Sequence, residues 1–305
     1  MTQLILLTGF LGTGKTTLME RLLHYYKDSP VGVIVNEFGE INIDARLLEN
    51  DGIIMRELSN GSIFCSCIKE NFIKALIDMS SQNFEYLFIE ASGLADPGNM
   101  QQILQTITPY TVHPYHYSGS ICVLDGESFL ELNNILPAVG NQLTQAGVVL
   151  VNKEDLIIPA VKAEIQAEVR NANIQAPVYF ASYCNIDINT LVMNLQPSKS
   201  AGQDSTNTPE NRPQTYIIKV LPSVTMKELQ SFLEFVAPYT YRIKGFVTVG
   251  DSNYSVSCVR SHMMIMPWSS DIPASEIVLI SAVGIGLTGA IADGINMNAP
   301  KSIKI

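Results

Sequence analysis

The chain has 305 residues, 47% hydrophobic and 16% charged, with a formal net charge of −10. That is enough apolar material for one large core or two ordinary ones, and too much for a disordered chain. The acidic balance excludes nucleic acid as a default partner, because no excess of Lys and Arg is available for phosphates. Five cysteines are too sparse for a disulfide framework.

Residues 1–196 alternate short apolar runs with helix-length amphipathic stretches such as 15–26 and 158–170. The runs fall at 3–9, 31–37, 85–91, 119–125, 147–153 and 177–182. Each is continuous rather than alternating, as expected for strands buried on both faces of a parallel sheet. The rhythm predicts an α/β domain with a doubly wound, mostly parallel sheet and its ligand at the carboxyl ends of the strands.

The first run leads into 9-GFLGTGKT-16, an intact G-x-x-x-x-G-K-[ST] that opens a helix. A glycine-rich turn of this kind points successive backbone N–H groups at a phosphate. Lys15 then reaches the β and γ oxygens, and the Thr16 hydroxyl ligates Mg²⁺. Gly9, Gly12, Thr13, Gly14, Lys15, Thr16 and Thr17 are therefore the phosphate-side candidates.

The run in 86-YLFIEASGLADP-97 ends in Glu90, whose carboxylate sits beside that loop to hold a Mg²⁺-bound water. Gly93 lets a backbone N–H approach a γ-phosphate. A later run ends in 152-NKED-155, an N-K-x-D. The Asp155 carboxylate accepts both the ring N–H and the exocyclic amine of guanine, a pattern that adenine reverses. Asn152 bonds the N7 edge and the Lys153 stem packs along the base. The segment 181-ASY-183 is a candidate for backbone contacts to the base.

Residues 197–213 hold three prolines and no large apolar side chain, and read as a linker. In 214–305, strand runs at 214–221, 242–250, 254–259 and 262–268 accompany a helix at 225–236, the pattern of a smaller α+β domain. The apolar stretch 277–295 contains four glycines and Asp293. It reads as a buried strand and a short helix rather than a membrane span. The start lacks a basic n-region and a cleavage site, so a soluble cytoplasmic protein is expected.

The set GFLGTGKTT, VNEFGE, IEASGLADP and VNKEDL, in that order, resembles the CobW family of P-loop GTPases, which includes metallochaperones and relatives of nickel insertases. The segment 242-RIKGFV-247 resembles part of that family's carboxyl-terminal domain. The resemblance implies hydrolysis of GTP to GDP, with Mg²⁺ held by Thr16, Glu37 and Glu90. It implies that the nucleotide state governs delivery or insertion of a metal or metal-containing cofactor. It also implies that 36-NEFGEINID-44 is a switch loop closing on a γ-phosphate. Lys15, Glu37 and Glu90 form the catalytic set, with Glu37 orienting water. No glutamine or arginine finger is identifiable, so slow turnover is expected.

Cys65 and Cys67 stand one residue apart in 61-GSIFCSCIKE-70. Such a pair ligates a soft metal, Zn²⁺, Co²⁺, Ni²⁺ or Cu⁺, and supplies two of the four ligands of a closed tetrahedral site. Glu37, Glu40, His113 and His116 are the nearest further candidates by type. A redox pair and two structural thiols are the alternatives. Most CobW relatives read C-x-C-C after Asn-Gly. Here Ser62 and Phe64 occupy the first two cysteine positions, Cys65 matches the third and Cys67 is additional. Cys122, Cys184 and Cys258 read as buried small hydrophobes.

The expected partners are guanine nucleotide and a client metalloprotein or corrinoid protein, with no nucleic acid and no membrane. Assembly into a homo-oligomer stays open. Two other functional readings also stay open: an ATP-dependent activator of a corrinoid or metalloenzyme, and a nucleotide-gated binding protein with incidental turnover.

Overall fold

In strand β1 (Thr2–Thr8) Leu4 and Leu6 enter one core while Ile5 and Leu7 enter another, all four fully buried. Successive strand side chains point to opposite faces, so a continuous apolar run requires helices on both sides of its sheet. The computed structural model describes residues 1–35, 53–57, 69–93, 97–197, 213–259, 262–272, 274–299 and 301–304. The chain divides into two compact units, Met1–Glu210 and Asn211–Ile305.

The first unit contains β1, β2 (Val31–Val35), β3 (Ile54–Glu57), β4 (Tyr86–Glu90), β5 (Tyr115–Asp125), β6 (Val148–Asn152) and β7 (Val178–Phe180). They form one sheet in the order β3-β2-β4-β1-β5-β6-β7, and every pairing is parallel. The described helices are α1 (Lys15–Tyr25), α2 (Lys69–Met79), α3 (Met100–Ile107), α4 (Phe129–Ile135), α5 (Pro137–Thr144), α6 (Pro159–Ala172) and α7 (Ile188–Met193). Leu18 and Leu22 of α1 pack with Ile5, Leu7, Val33 and Phe88 on one face. Phe72 and Leu76 of α2 and Ile103 of α3 pack with Leu4, Leu6 and Ile89 on the other. The chain leaves β1 toward β2 on one side and later returns to β5 on the other. This reversal beside β1 opens a crevice at the strands' carboxyl ends, where doubly wound sheets bind ligands.

The second unit is antiparallel. Strands β8 (Thr215–Val220), β9 (Thr240–Val249), β10 (Ser252–Val259), β11 (His262–Trp268), β12 (Glu276–Ser281) and β13 (Ile303–Lys304) pair in the order β11-β10-β9-β12-β8-β13. Helices α8 (Met226–Val236) and α9 (Gly286–Asn298) complete it. Thr225 and Glu228 form a capping box that starts α8, each satisfying a backbone N–H of the other's residue. Phe232, Leu233 and Ile291 then close over Ile218, Ile243 and Leu279. The apolar stretch 277–295 folds as β12 and most of α9. Among the described residues no helix is long and apolar enough to cross a membrane.

A candidate nucleotide site at the carboxyl edge of the parallel sheet

The loop between β1 and α1 makes a tight turn. Thr13 donates from Oγ1 to the Phe10 carbonyl at 3.0 Å, closing the turn on itself. Gly14 sits at φ +107, a conformation that disfavours any side chain, and a Cβ there would collide with Asn152 Nδ2. Lys15, 4% exposed, donates from Nζ to the carbonyls of Gly9 and Phe10 at 3.0 Å each. Its ammonium is thereby held over the loop. The Gly9, Gly12, Thr13, Gly14 and Lys15 set is brought together as one loop, and Thr16 and Thr17 follow on the first turn of α1.

Glu90 ends β4, beside Leu7 of β1 and Val35 of β2. Thr16 donates from Oγ1 to Glu90 Oε1 at 3.0 Å. Both are hard oxygen donors, and Glu90 is 3% exposed at the loop's edge. A hydroxyl and a carboxylate in this arrangement fit Mg²⁺, which takes few protein ligands and keeps several waters. Gly93 presses against the same loop: a Cβ there would come within 2.7 Å of the Leu11 backbone nitrogen. Gln142 of α5 donates from Nε2 to the Gly93 carbonyl at 3.2 Å.

The other end of the crevice is built by β6 and β7. Asn152 donates from Nδ2 to the Thr13 carbonyl at 2.8 Å, and its Oδ1 accepts from the Cys184 N–H at 2.8 Å. One amide hydrogen remains for a base edge. Lys153 takes the left-handed conformation at φ 61 and pairs with Asp125 Oδ2 at 2.6 Å. Asp155 is exposed, and its N–H donates to Ser182 Oγ at 3.1 Å, which ties it to the 181–183 segment.

That segment is itself strained, because Tyr183 and Cys184 both lie at φ 52. Arg21 of α1 holds it, donating to the Tyr183 carbonyl at 2.8 Å and to Asn185 Oδ1 at 3.2 Å. The Cys184 thiol donates to the Gly14 carbonyl at 3.4 Å, and burial pushes its pKa up to about 12. Cys122 is likewise buried in β5 and pushed up to about 12. Neither is a thiolate near neutral pH.

Four residues of this site escape motif reading: Arg21, Asp125, Gln142 and Cys184. Asp125 alone carried a local signal, since it ends an apolar run as Glu90 does. The switch segment with Glu37 and Glu40, and the Cys65–Cys67 pair, lie outside the described residues. His113 precedes β5, and His116 pairs with Gln3 near the start of β1. Both therefore lie at the end of the sheet opposite the phosphate loop. Among the described residues no group of three or more His, Cys, Asp or Glu side chains is placed to hold a metal.

A glycine-rich strand-to-helix loop, an acid on the neighbouring strand and an Asn-Lys-x-Asp turn two strands away define a P-loop nucleotide-binding domain. Residues 3–180 match the model of the CobW/HypB/UreG nucleotide-binding domain, and the chain belongs to that family. It is 34% identical over 194 residues to the zinc chaperone YjiA of Escherichia coli, a match covering 61% of this chain and 59% of that one. It is 26% identical over 280 residues to the zinc-regulated GTPase metalloprotein activator 1 of Saccharomyces cerevisiae, covering 80% and 65% respectively. The chain thus spans under two thirds of the length of these curated relatives. The crystal structure of Zn(II)-bound YjiA GTPase from E. coli aligns with a TM-score of 0.48 at 24% identity, covering 96% of this chain and 98% of that chain.

Proposed function

We propose that the chain is a GTP-hydrolysing metallochaperone. It binds GTP at the phosphate loop, hydrolyses it to GDP with Mg²⁺, and couples that step to delivery or insertion of a metal or metal-containing cofactor into a client protein. The observation that carries the nucleotide half is the Thr16–Glu90 hydrogen bond of 3.0 Å directly after Lys15. It supports Thr16 and Glu90 as hard oxygen ligands for Mg²⁺, next in sequence and across the sheet from a lysine that would neutralise the β and γ oxygens. Mg²⁺, when bound, supplies further charge neutralisation across those oxygens. The loop amides and Lys15 hold the phosphates, Gly93 offers its N–H to the γ-phosphate, and Asp155 and Asn152 read the guanine edge. Glu37 orients the attacking water.

The metal half is supported by relatives named as zinc chaperones and as zinc-regulated metalloprotein activators. Zn²⁺ is therefore placed ahead of Co²⁺ and Ni²⁺, with Cys65 and Cys67 as its donors. A client metalloprotein follows from the same names, and a soluble cytoplasmic setting belongs to this reading.

Thermal-shift titration with GTP, GDP and ATP tests the nucleotide: stabilisation by the guanine nucleotides alone is expected, and equal stabilisation by ATP overturns the guanine assignment. Elemental analysis after zinc loading tests the cargo. A Cys65→Ser/Cys67→Ser variant is expected to lose bound zinc while keeping GTP affinity, and unchanged zinc stoichiometry overturns the thiol site.

A further inference from the structure

The crossover from β5 to β6 carries a buried polar side chain that no motif accounts for. Gln142 is 1% exposed, and its Nε2 reaches the Gly93 carbonyl across 49 residues of sequence. Its support is rigid. At the end of α5 and just past it, the carbonyls of Leu143 and Ala146 accept from Asn173 Nδ2 at 2.9 Å each, and the Gln145 carbonyl accepts from Ser120 Oγ at 2.8 Å. On its other side Gly93 lies flush against Leu11 of the phosphate loop. Gly93 is thus gripped between the loop that holds phosphate and a fixed amide. Glycine is the residue with the freest φ and ψ, so a bond to its carbonyl removes freedom that its own chemistry does not.

We propose that Gln142 is a positioning residue for the γ-phosphate. By holding the Gly93 carbonyl it restricts ψ at Gly93 and keeps that residue seated against Leu11, and so keeps the Gly93 N–H, which belongs to the preceding peptide, in place for the γ-phosphate of GTP. The proposal rests on the reading of this crevice as a GTP-hydrolysing site. A donor aimed at developing charge accelerates a reaction to the extent that its direction is set beforehand. Gln142 itself touches no nucleotide in this arrangement. Its effect is specific to the triphosphate, because GDP lacks the group that the Gly93 N–H serves.

Gln142→Met keeps the volume of the side chain and removes its amide. In the full chain, single-turnover GTP hydrolysis is expected to fall about tenfold, and preference for a non-hydrolysable GTP analogue over GDP to narrow by about the same factor. GDP affinity stays within about twofold, since one neutral hydrogen bond remote from the diphosphate is lost. An unchanged rate and preference overturns the proposal. Equal loss of GDP and analogue affinity also overturns it, since that outcome marks a merely structural role.

Gln142→Glu supplies an independent arm. Its neutral carboxyl donates to the Gly93 carbonyl and its carboxylate does not. Its hydrolysis rate relative to the unmodified chain is expected to recover on acidification from about pH 8 to about pH 5.5, because burial raises a carboxyl pKa. A flat ratio overturns the assignment. Failure of the unmodified chain to hydrolyse GTP overturns the site reading itself, and is seen without any variant.

Discussion

Asn152 bonds the Thr13 carbonyl through Nδ2 and the Cys184 N–H through Oδ1, each at 2.8 Å, so one side chain ties the phosphate loop to the segment after β7. Asn152→Ala leaves two buried backbone groups without these bonds, at about 1–3 kcal/mol each. Affinities for GTP and GDP are expected to fall together, by at least about tenfold. Calorimetric titration of both nucleotides checks this. A loss confined to GTP would contradict the bracing role.

Thr16 and Glu90 meet at the loop's edge, and the two substitutions separate hydrogen bonding from charge. If the proposed Mg²⁺ site is right, Thr16→Ala removes one of its ligands, and hydrolysis is expected to drop about 100-fold. Glu90→Gln keeps an acceptor for Thr16 and removes the negative charge. The Mg²⁺ concentration for half-maximal phosphate release is expected to rise about tenfold or more. An unaltered Mg²⁺ dependence would remove Glu90 from the metal's surroundings.

Asp125 is nearly buried, with its side chain 7% exposed against 31% for Lys153, and the pair is 2.6 Å apart. Asp125→Asn removes the charge that pins the Lys153 ammonium. Partial exposure discounts the effect to about 1–2 kcal/mol, so GDP affinity should fall about 5–30-fold. Fluorescent-nucleotide titration at low and high salt reads it. The loss should persist at high salt, because a buried partner is poorly screened. A loss that vanishes with salt would place the pair at the surface energetically.

The thiols of Cys122 and Cys184 are both raised to about 12 by burial, from an ordinary value of 9.0. Folded pKa values above unfolded ones mean that the unfolded chain releases these protons first. The stability they contribute is complete below about pH 9 and is lost as pH rises toward about 12. The slope is at most about 1.4 kcal/mol per pH unit per thiol. Urea midpoints between pH 8 and pH 10.5 should fall accordingly, and Cys184→Ala should flatten the fall. Alkylation of either thiol in the folded protein near neutral pH would contradict their burial.

Six of the seven parallel strands show in the sequence as apolar runs, because burial on both faces leaves no polar alternation to disguise them. Strand β3 does not. It is four residues long at the sheet's edge, with Ile54 exposed and Arg56 paired to Asp78 at 3.0 Å, so it lacks an apolar run. The phosphate loop, Glu90 and the Asn-Lys-x-Asp turn were legible because their chemistry needs particular atoms within a few residues of a strand end. Arg21, Gln142 and Cys184 serve partners 162, 49 and 170 residues away, and no local pattern encodes such closures. Cys184 was read as a small buried hydrophobe, and it is buried. Its contact with the Gly14 carbonyl appears only once the sheet has formed.

The parallel sheet also sets an order of events during synthesis. β1 is made before the other described strands, yet its neighbours are β4 and β5, so its first pairing waits until residue 90 has emerged. At ordinary translation rates that delay is on the order of ten seconds. Throughout it, the apolar 3-QLILL-7 segment has no strand beside it, while the β9–β10 and β10–β11 hairpins of the second unit close on near neighbours as soon as they appear. The apolar β1 segment is therefore left unpaired for longer than the hairpin strands of the second unit.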